Sequence, residues 1–240
     1  MTDDAPYSTS TRHSAAFTTI LGVDCATKPH KVGLARAHVR DGDWYLTDTQ
    51  ACSAAESPVE VLARWIAQDP DCLLALDAPL GWPSALSAAL PSHRAGQPVR
   101  GEAETLFNRA TDRFVRASLG KRPLDVGADR IARTALATLE LLKTLRERTA
   151  ATLVAHGVDA RGYKAVDASD ARLAVERLID RRLTTERAFD AQTANDNVLD
   201  AVLCIVSGLD FIAGASSGPS DGDTAEREGW TWVRDIARDD

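Results

Sequence analysis

The chain has 240 residues, of which 44% are hydrophobic and 26% charged, and its formal net charge at pH 7 is −7. These proportions are typical of a globular domain and exclude a fibrous, wholly disordered or disulfide-stapled protein. No apolar run approaches the roughly 20 residues needed to span a bilayer, so the sequence predicts no membrane partner.

The ends and the cysteines of the chain carry little functional signal. Residues 1–16 are polar and contain no signal-peptide segment, so we expect a disordered tail on a cytoplasmic protein. Residues 17–240 contain no clear linker and are expected to form a single domain. The four cysteines, Cys25, Cys52, Cys72 and Cys204, have no spacing typical of a structural zinc site and are expected to be reduced.

The first third of the domain predicts an α/β fold with a mixed sheet. Residues 17–23 form a β-branched, apolar run that ends at Asp24, as expected for a buried strand. Strands are also predicted at 32–39 and 44–49, and their short connections favour an antiparallel meander. Ser57 and Pro58 precede a predicted helix at 59–68, and the apolar run 72–76 predicts a fourth strand that ends at Asp77.

The rest of the chain is predicted to be mainly helical. Residues 81–127, rich in Pro, Gly and Arg, are expected to form an insertion of loops and short helices, with an amphipathic piece at 102–119. Further predictions are helices at 128–148, 168–183 and 193–213, a loop at 214–223 and an edge strand at 228–233.

Carboxylates at the ends of these elements are the main chemical signal. A helical crossover lets the first and fourth strands lie parallel and adjacent, which places Asp24 and Asp77 at the edge where open α/β sheets bind ligands. Asp196 and Asp200 share one face of the last helix and could approach the same point.

Carboxylates that converge in this way call for a cation, since they would otherwise repel one another. All-oxygen ligands suit Mg²⁺ or Mn²⁺, and such ions can activate water and stabilise the oxygens of a phosphodiester displacement. The residues therefore favour metal-assisted phosphoryl transfer. Simpler interpretations are turn positions for Asp24 and Asp77 and a helix cap for Asp196. Asp200 lies beside a buried run where an unpaired charge is costly, which favours a function.

Six segments with recognisable motifs follow one another along the chain: Leu-Gly-Val-Asp at 21–24, Leu-Asp-Ala-Pro-Leu-Gly at 76–81, Arg-Ala-Thr-Asp-Arg at 109–113, and the stretches 156–164, 196–203 and 228–233. In this order they resemble the family catalogued as domain of unknown function 429. That family is regarded as a predicted nuclease with a ribonuclease H-like fold, similar in layout to RuvC-type Holliday junction resolvases. The resemblance implies Asp24, Asp77 and the aspartates of the last helix as metal ligands, nucleic acid (DNA or RNA) as the partner, and a homodimer as a state to test.

One departure from the family concerns its fifth strand, which typically carries a Glu-Val-Tyr-Pro-like motif. Here residues 145–153 run from a predicted helix almost directly into the next segment, and Glu147 lies in an arginine-rich helical context. Three interpretations follow: an edge strand has been lost, residues 149–154 replace it, or catalysis is weak.

Basic residues in the family segments are candidates for substrate binding. Arg109, Arg113 and Arg116 would share a helix face with Asp112 between them, and with Lys164 they could contact phosphates. The alternative is a solvated face with internal Arg–Asp pairs, or an Asp112 that joins the metal site from the side.

The sequence disfavours one alternative function and leaves another open. The sugar-kinase branch of this fold needs a glycine-rich phosphate loop, and residues 25–27 after Asp24 contain no glycine. A catalytically decayed fold that binds nucleic acid or protein is the remaining alternative to a metal-dependent nuclease.

Overall fold

The structure is a computed structural model of the chain. It describes residues 17–53, 55–121, 123–127, 129–149, 154–157, 169–186, 189–191 and 194–235. The predicted tail, residues 1–16, and the candidate phosphate contact Lys164 lie outside the described residues. Within the described residues, no helix combines the length and the apolar character that crossing a membrane requires.

A six-stranded mixed sheet forms the centre of the molecule, in the order β5-β4-β1-β2-β3-β6. Strands β1 to β3 form an antiparallel meander, whereas β4 pairs parallel to β1, β5 parallel to β4, and β6 parallel to β3. The antiparallel meander with a parallel fourth strand is the mixed sheet that the sequence predicted, and it agrees with the ribonuclease H-like layout that the family resemblance implies. The strands are β1 (Thr19–Asp24), β2 (Gly33–Arg40), β3 (Asp43–Ala51), β4 (Cys72–Asp77), β5 (Val154–Gly157) and β6 (Thr184–Thr185).

Helices cover the sheet, and a short two-stranded ribbon lies near the carboxyl end of the chain. The ribbon pairs β7 (Ser216–Ser217) with β8 (Val233–Arg234). The helices are α1 (Pro58–Gln68), α2 (Ser84–Ala89), α3 (Ala103–Phe107), α4 (Ala110–Leu119), α5 (Asp129–Arg148), α6 (Ser169–Asp180), α7 (Asp196–Ile212) and α8 (Gly222–Glu228).

The two faces of the sheet are buried against different helices. Alternation along β1 sends Ile20 into a core shared with α6 and α7, and Leu21 into a core shared with α1 and α5. Helix α1 begins at a capping box, in which the Ser57 hydroxyl accepts from the Glu60 N–H and the Glu60 carboxylate accepts from the Ser57 N–H. Because both faces are covered there, β1 and β4 are nearly continuous apolar runs rather than alternating ones.

Helix α7 approaches β1 unusually closely at Gly22. A Cβ placed on Gly22 would lie 2.0 Å from the carbonyl oxygen of Ala201. No residue with a side chain fits this position, so glycine is required for backbone contact between the strand and the helix. The contact sets the height of α7 over the sheet, and therefore the position of Asp200, which precedes Ala201.

Three predicted elements differ from the structure. The edge strand predicted at 228–233 begins later and is shorter: Glu228 ends α8, Thr231 forms a single β-bridge, and the strand itself is Val233–Arg234. The fifth strand is not lost, since β5 (Val154–Gly157) pairs with β4; it shares Val154 with the predicted 149–154, of which residues 150–153 lie outside the described residues. The amphipathic piece at 102–119 is divided at Asn108 and Arg109 into α3 and α4.

The carboxyl-terminal segment holds the insertion helices in place. Buried Glu228 accepts hydrogen bonds from the Ser84 N–H (2.8 Å) and hydroxyl (2.6 Å) and from the Ala110 N–H (2.6 Å). Its carboxylate therefore lies at the amino ends of both α2 and α4. Trp230 packs on Phe114, with ring centroids 5.3 Å apart.

Candidate metal centre

Asp24 and Asp77 end two neighbouring parallel strands at the same level. In the register of β1 and β4 they are direct partners, so both carboxylates emerge at the carboxyl edge of the sheet. Four registered pairs of apolar or glycine residues precede them, from Ile20 opposite Leu73 to Val23 opposite Leu76, and fix this alignment. A slip by one residue would turn each apolar set to the other face, so the packing holds the aspartates in register.

Asp200 reaches the same point from the helix above the sheet. It is 4% exposed and lies on α7 just before the residue whose carbonyl meets Gly22. Asp24, Asp77 and Asp200 each offer a carboxylate oxygen, and these three oxygens lie within 4.8 Å of one another. Three separate elements, β1, β4 and α7, thus bring three acidic groups to one small volume.

The three carboxylates form a set of oxygen donors that suits a hard cation. Two cysteines adjoin these aspartates along the chain and could in principle offer sulfur ligands. Cys204 lies one turn beyond Asp200, and Cys25 follows Asp24 directly. Burial raises the pKa of the Cys204 thiol, and the negative charges of Asp77, Asp24 and Asp200 raise it further. Burial likewise raises the pKa of Cys25 to about 12.

Both thiols are consequently neutral at physiological pH and poor ligands for a soft metal. Carboxylate oxygens remain as the donors, and these suit Mg²⁺ or Mn²⁺. The residues present therefore fit the divalent ion that the sequence predicted.

Asp196 lies one turn before Asp200, at the first position of α7, and its surroundings differ. The guanidinium of Arg172 forms an ion pair with its carboxylate, and 46% of the Asp196 side chain is exposed. The metal-capable group found among the described residues comprises Asp24, Asp77 and Asp200 and does not include Asp196.

Arg109 and Asp112 form a buried pair rather than a solvated helix face. Arg109 precedes α4 and donates to both Asp112 oxygens, at 3.0 and 2.8 Å, and their side chains are 7% and 3% exposed. A phosphate contact by Arg109 would require this pair to break. Arg113 donates to the Asn108 carbonyl at 2.7 Å, and Arg116 pairs with Glu104 at 3.3 Å.

The sequence reasoning missed Gly22 as a determinant of the centre. Its role follows from the close approach of α7, which brings Asp200 beside the strand ends. A signal was present, because a glycine within an otherwise apolar strand marks a place where another backbone comes close.

Comparisons with known proteins identify the family to which the chain belongs. Residues 22–161 match the model of a family described as "Protein of unknown function (DUF429)". No curated protein matches the chain. Among solved structures, the T. thermophilus RuvC in complex with Holliday junction substrate is similar at 11% identity and a TM-score of 0.41, over 82% of this chain and 96% of that one.

Proposed function

Because this chain belongs to the DUF429 family, we propose that it is a divalent-metal-dependent nuclease that hydrolyses phosphodiester bonds. The observation that carries the proposal is the convergence of the carboxylates of Asp24, Asp77 and Asp200 within 4.8 Å. The mixed sheet with acidic residues at its carboxyl edge agrees with the predicted nuclease character of the family that the sequence resembles.

In this proposal Asp24, Asp77 and Asp200 hold one or two Mg²⁺ or Mn²⁺ ions. Bound there, the ions would lower the pKa of a coordinated water and neutralise charge on the reacting phosphate. Asp24, at the end of the strand that pairs with β4 and packs against α7, would be the main ligand of the ions. Asp77 and Asp200 would supply the further carboxylate oxygens.

The remaining predicted site residues have narrower proposed roles. Asp196, half-exposed and one turn from Asp200, is proposed as an outer ligand or a group that orients water, and its ion pair with Arg172 fixes the direction of its carboxylate. Arg113 and Lys164 are proposed phosphate contacts. Arg109 and Asp112 are proposed to act on substrate only indirectly, since their mutual pair fixes the start of α4.

A catalytically decayed binding module is the second candidate, favoured by one observation. Strand β5 has the sequence Val-Ala-His-Gly and supplies no glutamate to the site, unlike the family's typical fifth strand. A decayed site that has lost metal binding would not need its aspartates for metal affinity, so metal titration tests this form of the candidate first, and a cleavage assay tests a decayed site that still binds metal.

The test is calorimetric titration of Mn²⁺ and Mg²⁺ into the wild type, an Asp24→Asn/Asp77→Asn variant, and Asp180→Asn as a matched control. Asp180 is exposed at the end of α6 and lies outside the cluster. Binding should be present in the wild type and the control and lost in the double variant, with folding checked by circular dichroism. Equal metal binding in all three proteins would refute the assigned ligands.

Cleavage then separates a nuclease from a metal-binding relic. Wild type with Mn²⁺ is incubated with labelled single-stranded DNA, duplex DNA, branched DNA and RNA. We expect metal-dependent cleavage of at least one substrate, and its loss in Asp200→Asn. Metal binding without cleavage of any of them would favour the decayed module.

A further inference from the structure

The connection between β1 and β2 is a cationic loop directly beside the carboxylate cluster. It begins after Asp24, and Gly33, at its other end, is the cross-strand partner of Asp24. Lys28, His30 and Lys31 are exposed on this loop. Since a chain advances at most about 3.5 Å per residue, the Cα of Lys28 lies within about 14 Å of that of Asp24.

The loop is held by the fold at its base. A single 3-10 turn spans Pro29–Lys31, in which the Lys31 N–H donates to the Lys28 carbonyl at 2.9 Å. Val32 is 5% exposed, and a Cβ on Gly33 would lie 1.9 Å from the Asn197 carbonyl oxygen on α7. The backbone that carries the cationic side chains is therefore anchored next to the start of α7.

The charge of the loop is unusual for this protein. The chain carries a net charge of −7 and has only five lysines, two of which lie here. Residues 25–40 contain no aspartate or glutamate. Among the described residues, no carboxylate forms an ion pair with Lys28 or Lys31, whereas Lys143 on α5 lies 3.7 Å from Glu140. Exposed lysines of this kind can neutralise an external anion at little cost.

We propose that Lys28 and Lys31 bind the phosphate backbone of the nucleic-acid strand on which the metal centre acts, an inference that rests on the proposed function. A strand places one charge per about 3.4 Å of axis, so these lysines would reach phosphates within about four nucleotides of the reacting one. Backbone contacts fix the register of the strand but carry no base information, so the contribution is independent of sequence. His30 lines the same surface.

The experiment measures binding without cleavage. In the Asp24→Asn/Asp77→Asn background, Lys28→Gln/Lys31→Gln is compared with Lys121→Gln/Lys143→Gln, a control pair that changes the net charge equally at exposed sites elsewhere. Fluorescence anisotropy records the affinity for labelled single-stranded and duplex DNA and RNA over a series of salt concentrations. Circular dichroism confirms that each variant is folded.

We expect the Lys28→Gln/Lys31→Gln substitutions to reduce the magnitude of the slope of log K, the association constant, against log salt by about 1.4 to 1.8. This is the change expected for the loss of two phosphate contacts, and it should be the same on every nucleic-acid sequence tried. The control pair should leave the slope unchanged. Equal slopes for the two pairs, a loss confined to one base sequence, or the absence of nucleic-acid binding would each overturn the inference. Metal titration of the wild type distinguishes this failure from failure of the proposed function, because it reports on the carboxylates without nucleic acid.

Discussion

At the scale of single residues, Glu228 shows how one buried carboxylate organises a region. Burial by itself would raise the pKa of Glu228, but hydrogen bonds from Ser84 and from the Ala110 N–H lower it on balance. The ionised form is therefore the one that the fold stabilises. A negative charge at the amino ends of two helices also interacts favourably with their dipoles.

We predict that Glu228→Gln destabilises the protein by about 1–3 kcal/mol at pH 7, because an amide cannot accept all of these hydrogen bonds. A carboxyl whose folded-state pKa is depressed stabilises the fold above its unfolded value, here 4.5, and this contribution is lost as the pH falls through the folded-state pKa. The difference between wild type and variant should therefore shrink below about pH 4.5.

Urea denaturation at a series of pH values measures this effect. Glu226→Gln is the control, since Glu226 is exposed on the same helix. A deficit for Glu228→Gln that stays constant from pH 7 to pH 3 would contradict the assigned linkage.

At the scale of elements, the contact between β1 and α7 couples folding to the metal centre. The Ala201 carbonyl occupies the space where a side chain at position 22 would lie. Both partners of this contact are backbone, held within a strand and a helix, so neither can move aside easily. Asp200 follows any displacement of α7 directly.

We predict that Gly22→Ala costs about 3 kcal/mol or more in the free energy of unfolding, at or beyond the upper end for overpacked cores. Metal affinity should fall as well, because Asp200 moves away from Asp24. Gly222→Ala is the matched control: Gly222 is the first residue of α8, and a Cβ there meets nothing within 4 Å. Urea denaturation and Mn²⁺ calorimetry on both variants check the prediction, and wild-type metal affinity in Gly22→Ala would contradict it.

Elements with long apolar runs were predictable from sequence. Strands β1 and β4 are uninterrupted apolar segments that end in an aspartate, and a helical crossover between parallel strands allows few arrangements. These facts were enough to predict that Asp24 and Asp77 meet. Asp200 was predictable because a buried helix face carries few charges without a reason.

Other features depend on tertiary contacts that leave a weak trace in the sequence. Trp230 and Trp232 alternate as in a strand, yet Trp230 packs on Phe114 and Trp232 on Phe211, and the paired strand begins only after them, at Val233. Strand β5 has four residues, including a histidine and a glycine, and its pairing is set by β4 rather than by its own propensity. Asp196 shares a face with Asp200, but periodicity does not reveal the Arg172 partner.

At the scale of the whole molecule, charge is distributed unevenly about the carboxyl edge of the sheet. An acidic protein concentrates three carboxylates there, beside a loop that carries two of its five lysines. Two unit charges 4.8 Å apart repel by about 3 kcal/mol at an effective dielectric constant of about 20. Without a cation, the cluster is therefore a local cost to the folded state, offset by packing elsewhere.

Because of this repulsion, we predict that the wild type and Asp77→Asn exchange their order of stability when metal is added. In EDTA, Asp77→Asn should be more stable than the wild type by about 1 kcal/mol, seen as a melting temperature roughly 2–4 °C higher, because one repulsive charge is removed. In Mg²⁺ at about 100 times its Kd, the wild type should gain about 2.7 kcal/mol and become the more stable protein. Thermal unfolding of both proteins in both buffers measures the reversal, with Asp180→Asn expected to follow the wild type throughout. If Asp77→Asn is less stable than the wild type in EDTA, the Asp77 carboxylate stabilises the fold without metal. The three carboxylates would then not repel one another strongly enough for a bound cation to relieve a cost.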